Sequence, residues 1–90
     1  MAIIAIFEVE GATAAKYEEV IRRLTDMGLR VPDGQLYHVC YGDPERLQVI
    51  DVFENQAKLD AFGASLMPIL QELGITASAD VADVYNIIEG

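Results

Sequence analysis

Tryptophan is absent from these 90 residues, and histidine and cysteine occur once each. A single cysteine excludes a disulfide within the chain, and one histidine beside one cysteine is too small a donor set for a zinc centre, so no metal is expected. Basic residues are scarce as well, with six Lys and Arg against fifteen Asp and Glu, a formal net charge of −9. Binding a phosphate backbone needs clusters of Lys and Arg, and an acidic surface repels nucleic acid and anionic lipid, so neither is an expected partner. No apolar run approaches the roughly 20 residues that a membrane helix needs. The opening "MAIIAIFEVEG" stays apolar for only about six residues, has no basic start and runs into acidic positions, which suits a strand better than a leader. Together with the lone thiol this makes a cytoplasmic location the expectation. The glycines form no phosphate cradle, and no cofactor is expected.

What the chain does have is hydrocarbon, 52% of its residues. A chain this short buries only about 60 to 65% of its unfolded surface when it folds alone. One domain over residues 1–90 is expected. With more apolar side chains than so small a core can hide, self-association is the expected remedy.

Periodicity sets the elements. Residues 2–9 are apolar on both faces, with Ile4 and Ile6 on one and Ile3, Ala5, Phe7 and Val9 on the other, as in a strand covered on both sides. From Tyr17 the period becomes helical through Val20, Ile21, Leu24 and Met27, with Thr13 as N-cap and Gly28 as stop. "QLYHVCY" and "LQVIDVFE" read as strands joined through "GDPER", a hairpin with a loop of about four or five residues. Asn55 caps a second helix whose stripe is Leu59, Phe62, Leu66, Ile69, Leu70 and Leu73 and whose stop is Gly74. Pro68 lies within it, so a kink or restart near Met67 is expected. A polar connection and a last strand at about 82–88 complete the chain.

The order βαββαβ predicts an α+β, ferredoxin-like sandwich: a four-stranded antiparallel sheet with two helices on one face. The other face is then bare, yet the third strand, like the first, is apolar on both sides, with Val49 and Phe53 on one and Ile50 and Val52 on the other, so both faces need cover. Such a patch is near or above the largest that a monomer normally leaves exposed, and a two-fold pairing of the bare sheets would cover it. A homodimer through that face is therefore expected.

The stretch "LQVIDVFENQAKLDAFGASLMPILQELGI", residues 47–75, resembles the dimeric α+β barrel superfamily, in particular small proteins related to antibiotic-biosynthesis monooxygenases. The likeness lies in an acid, apolar, aromatic, acid strand end, here Asp51, Val52, Phe53 and Glu54, leading straight into a helix, and in the "LMPILQELGI" and "VYNIIEG" segments. It implies a barrel made by two sheets at a dimer interface, with a ligand cavity between each sheet and its own helices. The chemistry it implies is cofactor-free oxygenation or isomerisation, although the superfamily also holds proteins without known activity. Phe53 stands where those monooxygenases usually have tryptophan, and no helix carries the histidine that haem-degrading members use as iron ligand.

Within "LYHVCYG", His38 and Cys40 lie on one strand face, about 7 Å apart at Cβ, which is long for a direct hydrogen bond. Cys40 therefore reads as a small buried hydrophobe rather than an activated nucleophile. Asp51 is sharper, because a carboxylate in mid-strand between Val49 and Phe53 needs a partner or water. A loop of residues 43–46 sets Asp51 opposite His38; a loop of 42–46 sets it on the face of Tyr37 and Tyr41. Paired, the two groups could move protons on a ligand; otherwise they make a structural hydrogen bond.

Tyr37, Tyr41 and Tyr85 could offer hydroxyls to a ligand, and Phe53, Phe62 and Leu66 could line the cavity. The candidate ligand-binding set is His38, Asp51, Phe53, Phe62 and Tyr85, for a small, largely apolar molecule. The alternatives are a non-catalytic dimeric module filled by its own side chains, and an accessory protein of a larger complex. An enclosed space of roughly 300 Å³ touching His38 would favour ligand binding.

Overall fold

A computed structural model describes all of residues 1–90. In chain order the elements are β1 (Ile3–Glu10), α1 (Ala14–Asp26), β2 (Gln35–Asp43), β3 (Arg46–Phe53), α2 (Gln56–Glu72) and β4 (Thr76–Asp83). The strands form one sheet in the order β2-β3-β1-β4, every neighbouring pair antiparallel, which is the expected ferredoxin-like topology. No helix is long and apolar enough to cross a membrane.

The helices begin and end where their capping residues dictate. Thr13 accepts from the Lys16 amide at 3.3 Å and Asn55 from the Lys58 amide at 2.9 Å, each satisfying one of the free N–H groups of a first turn. At the C-termini, Gly28 donates to Thr25 while Leu29 donates to Leu24, and Gly74 donates to Gln71 while Ile75 donates to Leu70. Both are Schellman closures, with the glycine left-handed at φ 75° and 71°. Gly11 has a steric reason too: at φ +84° it passes so close to the end of α2 that a Cβ there would lie 2.8 Å from the Gly74 carbonyl oxygen.

Three local expectations are corrected. Of the kink or restart expected at Pro68 the restart does not occur, since α2 runs unbroken through it; both Pro68 and Ala64, whose carbonyl the missing N–H would have met, are exposed, so water can serve that carbonyl. The hairpin is tighter than a loop of four or five, with only Pro44 and Glu45 between the paired Asp43 and Arg46, and the Asp43 carboxylate accepts from the Glu45 amide at 2.9 Å. The last strand is Thr76–Asp83, not 82–88. What read as a polar connection is a strand built from small residues, Ala77, Ala79 and Val81 alternating with Ser78, Asp80 and Ala82 against β1.

The core lies between the sheet and the helices. Ala12, Val20, Leu24, Ile69, Leu70 and Ile75 form one buried cluster, and Phe53, fully buried, stacks on Phe62 with ring centroids 5.8 Å apart. Burying such side chains is worth roughly 1.5 to 3 kcal/mol each, but only 12 of the 90 residues are buried, so much of the available hydrocarbon remains outside. A good part of it is on the sheet face without helices, where Ile6, Val39 and Tyr41 are 48%, 50% and 44% exposed. Beyond β4 the chain returns across one end of the sheet, from Val84, which donates to the Ala2 carbonyl beside β1, to Glu89, which accepts from the Tyr37 hydroxyl on β2.

Candidate functional site

The hairpin register decides the site. Pairing of Asp43 with Arg46 and of Gly42 with Leu47 carries through to His38 opposite Asp51, and the irregularity between Gln35 and Tyr37 falls beyond that pair and leaves it undisturbed. On its other side Asp51 is paired with Ala5, whose methyl group can neither donate a hydrogen bond nor share a charge. Asp51 is 3% exposed, so its carboxylate depends on a donor from the neighbouring strand. His38 supplies it, with Nδ1 2.6 Å from Asp51 Oδ1.

A third residue completes the line. The Tyr17 hydroxyl lies 2.7 Å from His38 Nε2, with the two rings nearly parallel at 6°. Thr13 fixes the start of α1, and Tyr17, one turn in, points from the helix onto the sheet over β2. Its hydroxyl is kept protonated: burial, then the charges of Cys40, Glu18 and Asp51, push its pKa up to about 12. With the Asp51 carboxylate accepting from Nδ1–H, a neutral imidazole has its lone pair on Nε2, and the phenol donates to it. In an imidazolium Nε2–H donates instead, and the phenol proton is free to turn elsewhere.

Beside this line of three residues is a cavity of about 90 Å³ between the sheet and the helices. Its walls are Phe7, Val9 and Val49 from the sheet, Val20, Ile21 and Leu24 from α1, and Phe62, Leu66 and Met67 from α2; Tyr17, His38 and Asp51 also line it, almost entirely through carbon. The volume is well below 300 Å³.

Of the residues singled out in the sequence, His38, Asp51, Phe62 and Leu66 are brought together on this cavity. Phe53 lies behind Phe62 in solid core and does not line it. Tyr85 is fully exposed in the segment after β4, and Tyr37 and Tyr41 project from the sheet face opposite the helices, so none of these three hydroxyls reaches the cavity. The tyrosine that does line it, with its hydroxyl turned to His38, is Tyr17, which its helical spacing had assigned to the apolar stripe; the available signal was that it is the one tyrosine of four on a helix. Cys40 is paired with Val49, and burial pushes its thiol pKa up, opposite to what a nucleophile requires.

No family model and no curated protein matches the chain. Solved structures do. A candidate antibiotic biosynthesis monooxygenase from Deinococcus radiodurans is 15% identical with a TM-score of 0.66, over 99% of this chain and 97% of that one. SnoaB from Streptomyces nogalater, a cofactor-independent oxygenase, is 18% identical with a TM-score of 0.61 over 99% and 96%. Rv0793 from Mycobacterium tuberculosis is 14% identical with a TM-score of 0.65 over 99% and 100%. At such identities the likeness is one of fold: the chain has the ferredoxin-like fold of antibiotic biosynthesis monooxygenase-like proteins along its whole length.

Proposed function

We propose that this chain, with the fold of the antibiotic biosynthesis monooxygenase-like proteins, binds a small, largely apolar molecule between its sheet and its helices, as a homodimer whose bare sheet faces meet. The observation that carries the reading is the cavity wall of hydrocarbon, directly behind which a buried carboxylate is held by an imidazole and a phenol. Apolar walls with a few convergent polar groups are the usual composition of a small-molecule site, and a buried carboxylate is costly for a structure that makes no use of it. The likeness to SnoaB supports a catalytic form of this reading, cofactor-free oxygenation or isomerisation carried by the chain's own groups. The exposed Ile6, Val39 and Tyr41 support the dimer, since a second copy laid on that face by a two-fold axis would cover all three.

One observation favours a second reading. A volume of about 90 Å³ is small for a ligand site, as it would be in a non-catalytic dimeric module filled by its own side chains. Calorimetric titration with 2-pentanone separates the two. Binding by the wild type, lost in Ala77→Leu, whose longer side chain enters the cavity, supports the ligand site; no binding by the folded wild type supports the filled module.

A further inference from the structure

We infer that two copies of this chain meet with β3 of each laid over β1 of the other, strands running alongside, so that Arg46 of each copy pairs with the partner's Glu10 and, next to it, the partner's Glu8. This rests on reading the bare sheet face as a dimer interface, and adds how the two faces are turned and which charges select that turn.

Alternation fixes what the bare face carries. Phe7 and Val9 on β1 and Val49 and Asp51 on β3 line the cavity, so Ile6, Glu8 and Glu10, and on β3 Ile50 and Arg46, point the other way. The face is lopsided in two directions. Along the strands, Ile6 and Ile50 lie in the middle, whereas Glu8, Glu10 and Arg46 lie at the end where β3 begins. Across them, the edge strand β2 presents Val39 and Tyr41 while the opposite edge, β4, presents the shorter Ser78 and Asp80. The segment after β4 returns across the far end, by Ala2 and Tyr37, and leaves the middle and the charged end free.

A two-fold axis in the plane of the interface can run across the strands or along them. Across, β2 falls on β2 and β4 on β4, so large side chains meet large ones and short meet short, and the carboxylates of one copy fall on the apolar end of the other. Along, the order β2-β3-β1-β4 is reversed in the partner, and each level of a strand stays at its own level. Val39 and Tyr41 then stand over the short side chains of the partner's β4, and Ile50 meets the partner's Ile6. Continued by two pleats, the register that pairs Ile6 with Ile50 sets Arg46 at the level of the partner's Glu10. Aligned sheets pack about 10 Å apart, a gap that an arginine and a glutamate span between them.

The charges favour the same turn. Arg46 is the one basic side chain on this face, against Glu8, Glu10, Asp43 and Asp80. Arg22, Arg23 and Lys58 all form ion pairs within the chain, but Arg46, Glu8 and Glu10 form none. The ladder between β1 and β3 ends at Phe7 and Val49, and beyond it the Gln48 amide stands between the strands, bonded to the Val9 N–H and C=O at 2.9 Å each. Arg46 is thus left without its own Glu10 and faces outward with its charge unmatched.

Charge reversal tests the arrangement by sedimentation at micromolar concentration, with far-UV circular dichroism to confirm that these exposed substitutions leave the fold intact. The two-fold axis repeats every change, so Arg46→Glu should raise the dissociation constant of the dimer about tenfold or more. Glu8→Lys/Glu10→Lys should weaken it as well, although it lowers the net negative charge and so eases repulsion between whole molecules. Mixed in equal amounts, the two variants should pair with each other as tightly as the wild type pairs with itself, because each then meets the opposite charge. Arg30→Glu, the same change of charge in the loop after α1, should have no effect. A wild-type dimer that neither reversal weakens, a loss that mixing does not rescue, or an equal loss in Arg30→Glu overturns this arrangement and leaves the dimer standing. A folded wild type that stays monomeric overturns the dimer, and the arrangement with it.

Discussion

Replacing His38 by valine should cost far more alone than together with the same change at Asp51. The carboxylate of Asp51 is 3% exposed, and its one hydrogen bond in the protein comes from His38 Nδ1 at 2.6 Å. Removing one partner of a fully buried ion pair typically costs about 3 to 5 kcal/mol. Here the His38 side chain is 29% exposed, so water can follow into the vacated space and soften the loss. The expected cost of His38→Val is then nearer the range for a hydrogen bond to a charged group, about 1.5 to 3 kcal/mol. In His38→Val/Asp51→Val the orphaned charge is gone and two β-branched side chains face each other across the hairpin. That double variant should recover at least about 1 kcal/mol relative to the sum of the single changes. Urea unfolding at one fixed protein concentration, with unchanged slope, measures all three. Additive losses, or a His38→Val cost below about 0.5 kcal/mol, would refute the claim that Asp51 depends on His38.

Four further expectations can be checked independently. The folded pKa of Tyr17, at about 12, lies above its ordinary 10.0, so the fold favours the protonated phenol; the associated stability is intact below pH 10 and is lost as pH rises from 10 towards 12. An absorbance titration should show a tyrosine ionising late in that range, near pH 12, and Tyr17→Phe should remove that step. Gly28→Ala, at a left-handed position with nothing within 4 Å, should cost about 1 to 2 kcal/mol, and Gly11→Ala more, because its Cβ must also displace the Gly74 carbonyl. Phe53→Ala, opening the space behind Phe62, should destabilise by about 3 to 5 kcal/mol in the same denaturation assay. Val39→Lys, on the bare sheet face, should halve the mass seen by sedimentation at micromolar concentration while far-UV circular dichroism stays unchanged.

The sequence carried the element order because each signal was local and strong. Thr13 and Asn55 cap the helices, Gly28 and Gly74 end them, and β1 and β3 are dense in β-branched residues. The last strand was obscured because its inward positions are mostly alanine, and Ala77 and Ala79 beside Ser78 and Asp80 present too little contrast to register as alternation. Pro68 misled in the other direction, since one lost bond on an exposed helix surface is outweighed by the buried stripe of Ile69 and Leu70.

Of the site, Asp51 was legible as a carboxylate in an apolar strand, and His38 as its partner in one of two registers. The choice between those registers rested on a hairpin turn whose length the residues left open. Tyr17 was hidden because a tyrosine in a helical stripe shows its ring to the pattern and its hydroxyl only to the folded neighbour. Phe53 and Tyr85 were placed on the cavity by type rather than by position; the first packs behind its wall, and the second lies past the end of the sheet.

Because His38 is the only histidine, its two ring nitrogens can be followed without ambiguity in ¹⁵N-labelled protein. Recorded in the folded protein, Nδ1 should carry the proton that it donates to Asp51. A spectrum in which Nδ1 is bare and Nε2 carries the only ring proton would contradict the account.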